Sequence, residues 1–276
     1  MAEPSFDRSA CQACLSTRRL GRSLVVRAAV ESTNDVAWEA LASGLPDGTA
    51  VAADVQTRGR GRAGRAWHTS PGKGLALSVL LHRGCDAASG TRAGGSGLLP
   101  LAAGLALARG LERLAVRAEL KWPNDLLLAG RKLAGILCES RRTTAGTEAA
   151  VIGVGVNVAQ SPEDFPPELA TTATSLAMEG CSAPRERVAA EFLNALEPLV
   201  TQLEEGGREA LIEAWRARAS FWGRMVRVRT AGGEVSGVAR ALGQDGALLI
   251  EREGGGSIAV LAGDLELPDS AGWGRA

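Results

Sequence analysis

The 276-residue chain balances 31 Lys and Arg against 31 Asp and Glu, and 45% of its residues are hydrophobic. That length accommodates one large domain, or one domain with a small companion, and the zero formal charge weighs against a protein that holds nucleic acid through its overall field. Nowhere do about 18 apolar residues run together, as a membrane span would need, and residues 1–22 are mixed and charged rather than signal-like.

In chain order, residues 1–22 lack apolar periodicity and are expected to form a flexible N-terminal arm. The five cysteines (Cys11, Cys14, Cys85, Cys138, Cys181) do not look like a disulfide framework and suit a reducing cytoplasm, and the lone Cys11-x-x-Cys14 reads as tail. Residues 24–30 read as a strand, followed by a helix that Ser32 would cap and Gly44 would end. A second strand, 50–55, delivers the chain into Gly59-Arg60-Gly61-Arg62-Ala63-Gly64-Arg65-Ala66-Trp67. A buried strand over 75–81, a turn-like stretch over 84–97 and a core helix from Leu98 to Leu114 come next. After a strand at 116–120, Ala129-Gly130 turns a hairpin, and 151–158 is a strand with glycines where something packs close. Residues 162–167 read as loop. A long helix opens at Pro184 and should kink at Pro198; a shorter one holds Leu211 and Trp215. From Trp222 four short β-rich runs suggest a small barrel. The expected organisation is an arm (1–22), a catalytic domain (23–221), a small β domain (222–269) and a tail (270–276).

Three segments carry reactive residue types. In the Arg/Gly loop, glycines permit close backbone approach and arginines present forks of donors suited to carboxylate and phosphate; a solvated basic loop or a nucleic-acid patch are the alternatives. In Lys121-Trp122-Pro123-Asn124-Asp125, Asn124 and Asp125 could hold Mg²⁺ or a ribose hydroxyl, or merely form a turn. In Arg131-Lys132-Leu133-Ala134-Gly135, Lys132 could meet an anion or simply be a solvated hairpin charge. Together they describe a site for an anion such as a nucleoside triphosphate. The P-loop pattern is absent, as is the dinucleotide G-x-G-x-x-G in a strand-to-helix context. With only His68 and His82, no Ser/His/Asp relay is visible, so the implied chemistry is charge stabilisation.

These motifs, with Ser32-Thr33-Asn34, Gln56 and Gly153-Val154-Gly155-Val156-Asn157 around them, resemble those of the biotin protein ligase family over roughly residues 24–267. The resemblance implies an α/β (α+β) fold, a mixed central β-sheet backed by helices and followed by an SH3-like β-barrel. It implies the substrates ATP and biotin, with Mg²⁺, and a two-step reaction through biotinyl-5′-AMP to a lysine of a biotin carboxyl carrier domain. By position, Ser32, Thr33, Asn34, Gln56, Gly59 and Gly135 would belong to the biotin pocket, and Arg60, Arg62 and Lys132 would grip its carboxylate and the α-phosphate. Arg65, Trp67, Lys121, Asn124 and Asn157 would face the adenylate, Arg62, Lys132 and Asp125 would be catalytic, and Asp125 with Asn124 would hold Mg²⁺. Some members carry a winged helix-turn-helix of about 60 or more residues; here 23 residues precede the first expected strand, so a cytoplasmic ligase without repressor function, nucleic-acid partner or membrane is expected, and a homodimer stays open. The rivals are a lipoate or octanoate enzyme of the same broad fold, a nucleic-acid-binding module, and a biotin binder without catalysis.

Overall fold

The computed structural model describes residues 5–83, 97–143 and 146–268. After α1 (Arg8–Ala13), strands β1 (Leu24–Val30) and β2 (Ala50–Gln56) pair in parallel, with α2 (Thr33–Ala42) as the crossover between them. β3 (Gly74–Arg83) is followed by α3 (Leu99–Glu112), β4 (Glu119–Lys121), β5 (Asp125–Leu128), β6 (Arg131–Arg142) and β7 (Glu148–Asn157). The sheet runs β1-β2-β3-β7-β6-β5-β4, antiparallel everywhere except at β1–β2. Ala129 (φ 50°) and Gly130 (φ 74°) turn the expected hairpin, both in the left-handed region that a two-residue type I′ connection requires.

α3 is apolar on every side and accordingly lies in the middle of the core, between the sheet and α4 (Arg185–Glu204). A Cβ at Gly110 would lie 2.9 Å from the Glu191 carbonyl carbon, so the two helices meet backbone to backbone. α4 continues through Pro198 as one helix, and α5 (Arg208–Arg216) buries Leu211 and Trp215. On the opposite face of the sheet, α2 covers a smaller cluster around Trp38, Val51 and Leu80.

The C-terminal part is an antiparallel sheet in the order β11-β10-β9-β8-β12, with β8 (Met225–Thr230), β9 (Gly233–Leu242), β10 (Leu248–Glu251), β11 (Ser257–Val260) and β12 (Asp264–Glu266). This five-stranded antiparallel sheet stands where the small SH3-like domain was expected, and among the described pairings its edge strands β11 and β12 are not hydrogen-bonded to each other. It must still curl: residues 261–263 carry the chain from one edge to the other, a reach of about 15 Å at most, whereas four flat strand spacings would need about 19 Å. β12 escaped the sequence reading because three residues carry no measurable alternation. Trp122 Nε1 donates to the Gly246 carbonyl (3.1 Å) and ties this sheet to the main domain.

From residue 5 on, the expected flexible arm is instead packed against the domain. Phe6, Cys11 and Leu20 are at most 3% exposed. Glu197 of α4 accepts the backbone N–H groups of Arg18 (2.6 Å), Arg19 (2.8 Å) and Leu20 (2.8 Å), and Asn194 takes Ser16 N–H at 2.7 Å. At the near end, Ser5 bonds Asp54 of β2, itself ion-paired to Arg185 at 2.9 Å. The anchoring apolar residues are too scattered in sequence to show a period. Burial pushes the Cys11 thiol up to about 12, so it is a packed side chain rather than a nucleophile. Cys85, the turn-like stretch apart from Gly97, and the tail 270–276 lie outside the described residues.

Candidate active site

The floor of the site is the β6–β7 pair, where Gly135 stands opposite Gly155. A Cβ at Gly155 would lie 2.3 Å from Trp67 Cε2, and one at Gly153 would lie 2.3 Å from Asn34 Oδ1. The glycines therefore let an indole and an amide rest directly on the strand. Gly155→Val is expected to displace Trp67 and to cost about 1–3 kcal/mol by overpacking; urea melts measure this, and an unchanged midpoint would remove the glycine from the argument.

The Arg/Gly loop folds back on itself. Trp67 N–H donates to Gly59 O (2.9 Å) and Gly61 N–H to Arg65 O (2.7 Å), while the tip at Ala63 (φ 53°) and Gly64 (φ 75°) is left-handed. Gly59 is buried under this closure, with no room for a side chain beneath the Trp67 carbonyl. Between loop and floor lies a cavity of about 300 Å³.

One wall is the start of α2. Ser32 occupies the N-cap position, but its side chain makes no capping bond, against the sequence expectation. Thr33 N–H and hydroxyl lie 2.8 Å and 3.1 Å from Gln56 Oε1, and the buried Ser78 hydroxyl lies 2.7 Å from both Thr33 Oγ1 and Asn34 Oδ1. This network fixes Thr33 and Asn34. Among the described residues it leaves the Ser32 hydroxyl and the Gln56 amide N–H groups without protein partners at the cavity wall.

The cations differ sharply in what neutralises them. Arg60, expected at the anion, is bidentate to Asp35 of α2 (2.6 and 2.8 Å) and reaches Glu139 of β6 at 3.3 Å. Arg65 pairs with Asp264 of β12 at 2.6 Å. Arg62 alone of the three bonds neutral oxygens only, Asn124 Oδ1 (3.0 Å) and the Gly263 carbonyl (3.4 Å), among the described residues. Burial pulls its pKa down, with Asp264 and Asp125 acting against that, yet a guanidinium stays charged. Lys132 Nζ stands 3.0 Å from Asp125 Oδ1. That buried oxygen has a charge partner but no aligned hydrogen-bond donor.

Lys121 and Asp125 line a second chamber of about 230 Å³, which shares Arg65 and Asn124 with the first and is closed by Arg229, Asp264 and Glu266. Burial lowers the Lys121 ammonium, with Asp125 opposing. Two residues expected at the nucleotide are already committed: Asn157 donates to Thr174 O (2.9 Å), and Asn124 donates to Ile136 O (2.8 Å) while receiving Arg62. Among the described residues no group of three His, Cys, Asp or Glu could cage a metal. Asp125 with its unaligned oxygen fits Mg²⁺, an ion commonly held by one or two carboxylates with phosphate oxygens and water completing the shell; Asn124 as placed does not.

A whole wall was missed. Phe165, Leu169 and Ala173 close the cavity from the 162–173 segment, which is pinned to β6 by Lys132 N–H to Thr172 O (2.7 Å) and Thr174 N–H to Lys132 O (2.9 Å). Residues 162–167 read as loop; the apolar Phe165 inside it and Leu169 just beyond it were the available signal.

The fold and the site define a mixed-sheet α/β enzyme domain that takes a small ligand between a glycine floor and a cationic loop, with a small β-sheet domain touching that loop. Residues 26–157 match the Biotin/lipoate A/B protein ligase family, and residues 221–267 match the biotin protein ligase C-terminal domain. The chain is 39% identical to the biotin–acetyl-CoA-carboxylase ligase of Mycobacterium tuberculosis over 88% of each chain. It is 33% identical to the bifunctional ligase/repressor BirA of Bacillus subtilis, over 92% of this chain and 76% of that one. The biotin protein ligase from Aquifex aeolicus in complex with biotin and ATP superposes with a TM-score of 0.71 at 27% identity, covering 89% of this chain and 98% of that one. The chain belongs to the biotin protein ligase family.

Proposed function

We propose that this protein is an ATP-dependent biotin protein ligase that makes biotinyl-5′-AMP and passes the biotinyl group to a lysine of a biotin carboxyl carrier domain. The observation that carries the reading is Arg62, a half-buried guanidinium at the cavity wall whose bonds, among the described residues, go to neutral oxygens only. Its charge is open to an arriving anion, as a fixed electrostatic stabiliser requires.

In the first step a biotin carboxylate oxygen bonds to the α-phosphorus of ATP and the bond to the bridging oxygen breaks, releasing pyrophosphate. Arg62 and Lys132 stabilise the negative charge that builds on the carboxylate and phosphoryl oxygens. The Gln56 amide and Ser32 hydroxyl are left to meet the uncharged ureido ring, and the Trp67 indole walls the apolar tail. In the second step the acceptor amine attacks the carbonyl carbon, AMP leaves with the bond electrons, and the amine sheds its proton. Mg²⁺, when bound at Asp125, would offset phosphate charge. The folded loop and the 162–173 wall keep water from the mixed anhydride.

The four described thiols are all free, as a cytoplasmic setting allows. The test is exchange of labelled pyrophosphate into ATP with Mg²⁺ and biotin, run beside lipoate and octanoate. Biotin alone is expected to support exchange; exchange with lipoate would move the chain to the lipoate branch, and none from folded protein would refute adenylate chemistry.

A further inference from the structure

Loop residue Arg60 reaches away from the other two arginines, to carboxylates on two different elements. Asp35 lies on α2, two and three residues beyond the Thr33 and Ser32 that line the cavity, and takes the guanidinium bidentately at 2.6 and 2.8 Å. Glu139 lies on β6, beyond Gly135 of the floor, and takes it at 3.3 Å. Glu139 is itself held: its second oxygen accepts Trp38 Nε1–H at 2.8 Å, and Arg141 lies over that indole at 4.3 Å from the ring centre. Neither carboxylate lines the cavity; both stand on the outer side of the loop, where Glu139 borders an open groove along residues 60–65. The Arg60 hydrogen bond holds the Asp35 carboxyl below the usual range, so it is charged at neutral pH.

We propose that Asp35 and Glu139 are positioning residues that latch the Arg/Gly loop through Arg60, and so set how long the activated intermediate is retained before the acceptor amine arrives. This rests on the ligase reading. The geometry favours it over a direct role for Arg60 at the anion: Arg60 borders the cavity, but its guanidinium N–H groups are bonded to two carboxylates outside the lining. A bidentate pair fixes direction as well as distance, and a half-exposed one can open without the cost of baring a buried charge. An acyl-adenylate needs both properties: shelter from water while it waits, and a side that opens for an incoming lysine.

The test uses the full chain with Asp35→Asn and Glu139→Gln together, and Asp35→Glu as the conservative variant. The pyrophosphate-exchange rate is expected to stay within about threefold of the wild type, since no cavity group changes. Release of preformed biotinyl-AMP, followed by rapid filtration, is expected to rise about tenfold and to be restored by Asp35→Glu with Glu139 intact. In the empty protein, tryptic cleavage after residues 60–65 should quicken about tenfold. Unchanged release and cleavage in the double variant overturn the latch, as does a parallel collapse of exchange, which would place the carboxylates in the chemistry. Should the wild type make no adenylate, the ligase reading fails, and the cleavage rates still decide the latch.

Discussion

Replacing Arg62 with alanine is expected to lower pyrophosphate exchange by a factor of about 10²–10³, the usual loss when one preorganised charge or donor is removed from a reacting centre. The fold should survive. Arg62 bonds one side-chain oxygen and one carbonyl, Asn124 Oδ1 and Gly263 O. Asn124 keeps its bond to Ile136 O, and it lines a cavity that water can enter. A thermal melt within a few degrees of the wild type, beside near-absent exchange, is the predicted pair of results. Arg65→Ala provides the contrast. Its charge is already matched by Asp264, so its loss should loosen the loop from β12 and weaken exchange far less. Exchange by Arg62→Ala at the wild-type rate would refute the assignment of its charge to the reacting anion.

That contrast was invisible in the sequence. Arg60, Arg62 and Arg65 sit at near-identical spacing among glycines, and nothing local distinguishes a guanidinium that faces the cavity from one tied to α2 or β12. Their partners, Asp35, Glu139, Asn124 and Asp264, come from segments up to 199 residues away. What could be read were features whose cause is local. The Ala129-Gly130 turn follows from backbone sterics, and Gly153 and Gly155 within an apolar strand signal close packing whatever the partner. β12 and the 162–173 wall could not be read in this way: one is a three-residue strand stabilised by β8, the other irregular backbone held by β6. The N-terminal segment failed for the same reason, because its order lies in long-range bonds.

Deleting residues 2–22 is accordingly expected to destabilise the protein severely. Phe6 and Leu20 are at most 3% exposed, and burying such side chains contributes about 1.5–3 kcal/mol each. Against a total of about 5–15 kcal/mol for a domain, their removal takes a large share and bares apolar surface on α4. The expected fall in melting temperature is about 10 °C or more, with reduced soluble yield. The effect should depend on pH. Burial would raise the Glu197 carboxyl, but the N–H groups of Arg18, Leu20 and Arg19, with the Arg19 charge, hold it below the usual range. A depressed carboxyl contributes stability above its unfolded pKa and loses it as pH falls through the folded value. The gap between full-length and truncated melts should therefore be widest near neutrality and narrow in acid, and Glu197→Gln should remove that pH dependence without the full loss. The consequence reaches the site, because Ser5 holds Asp54 of β2, two residues before Gln56. A truncated protein with an unchanged melt would show that the segment rests on the domain without supporting it; a lowered melt with weakened biotin binding would show that it steadies the strand from which the cavity wall is built.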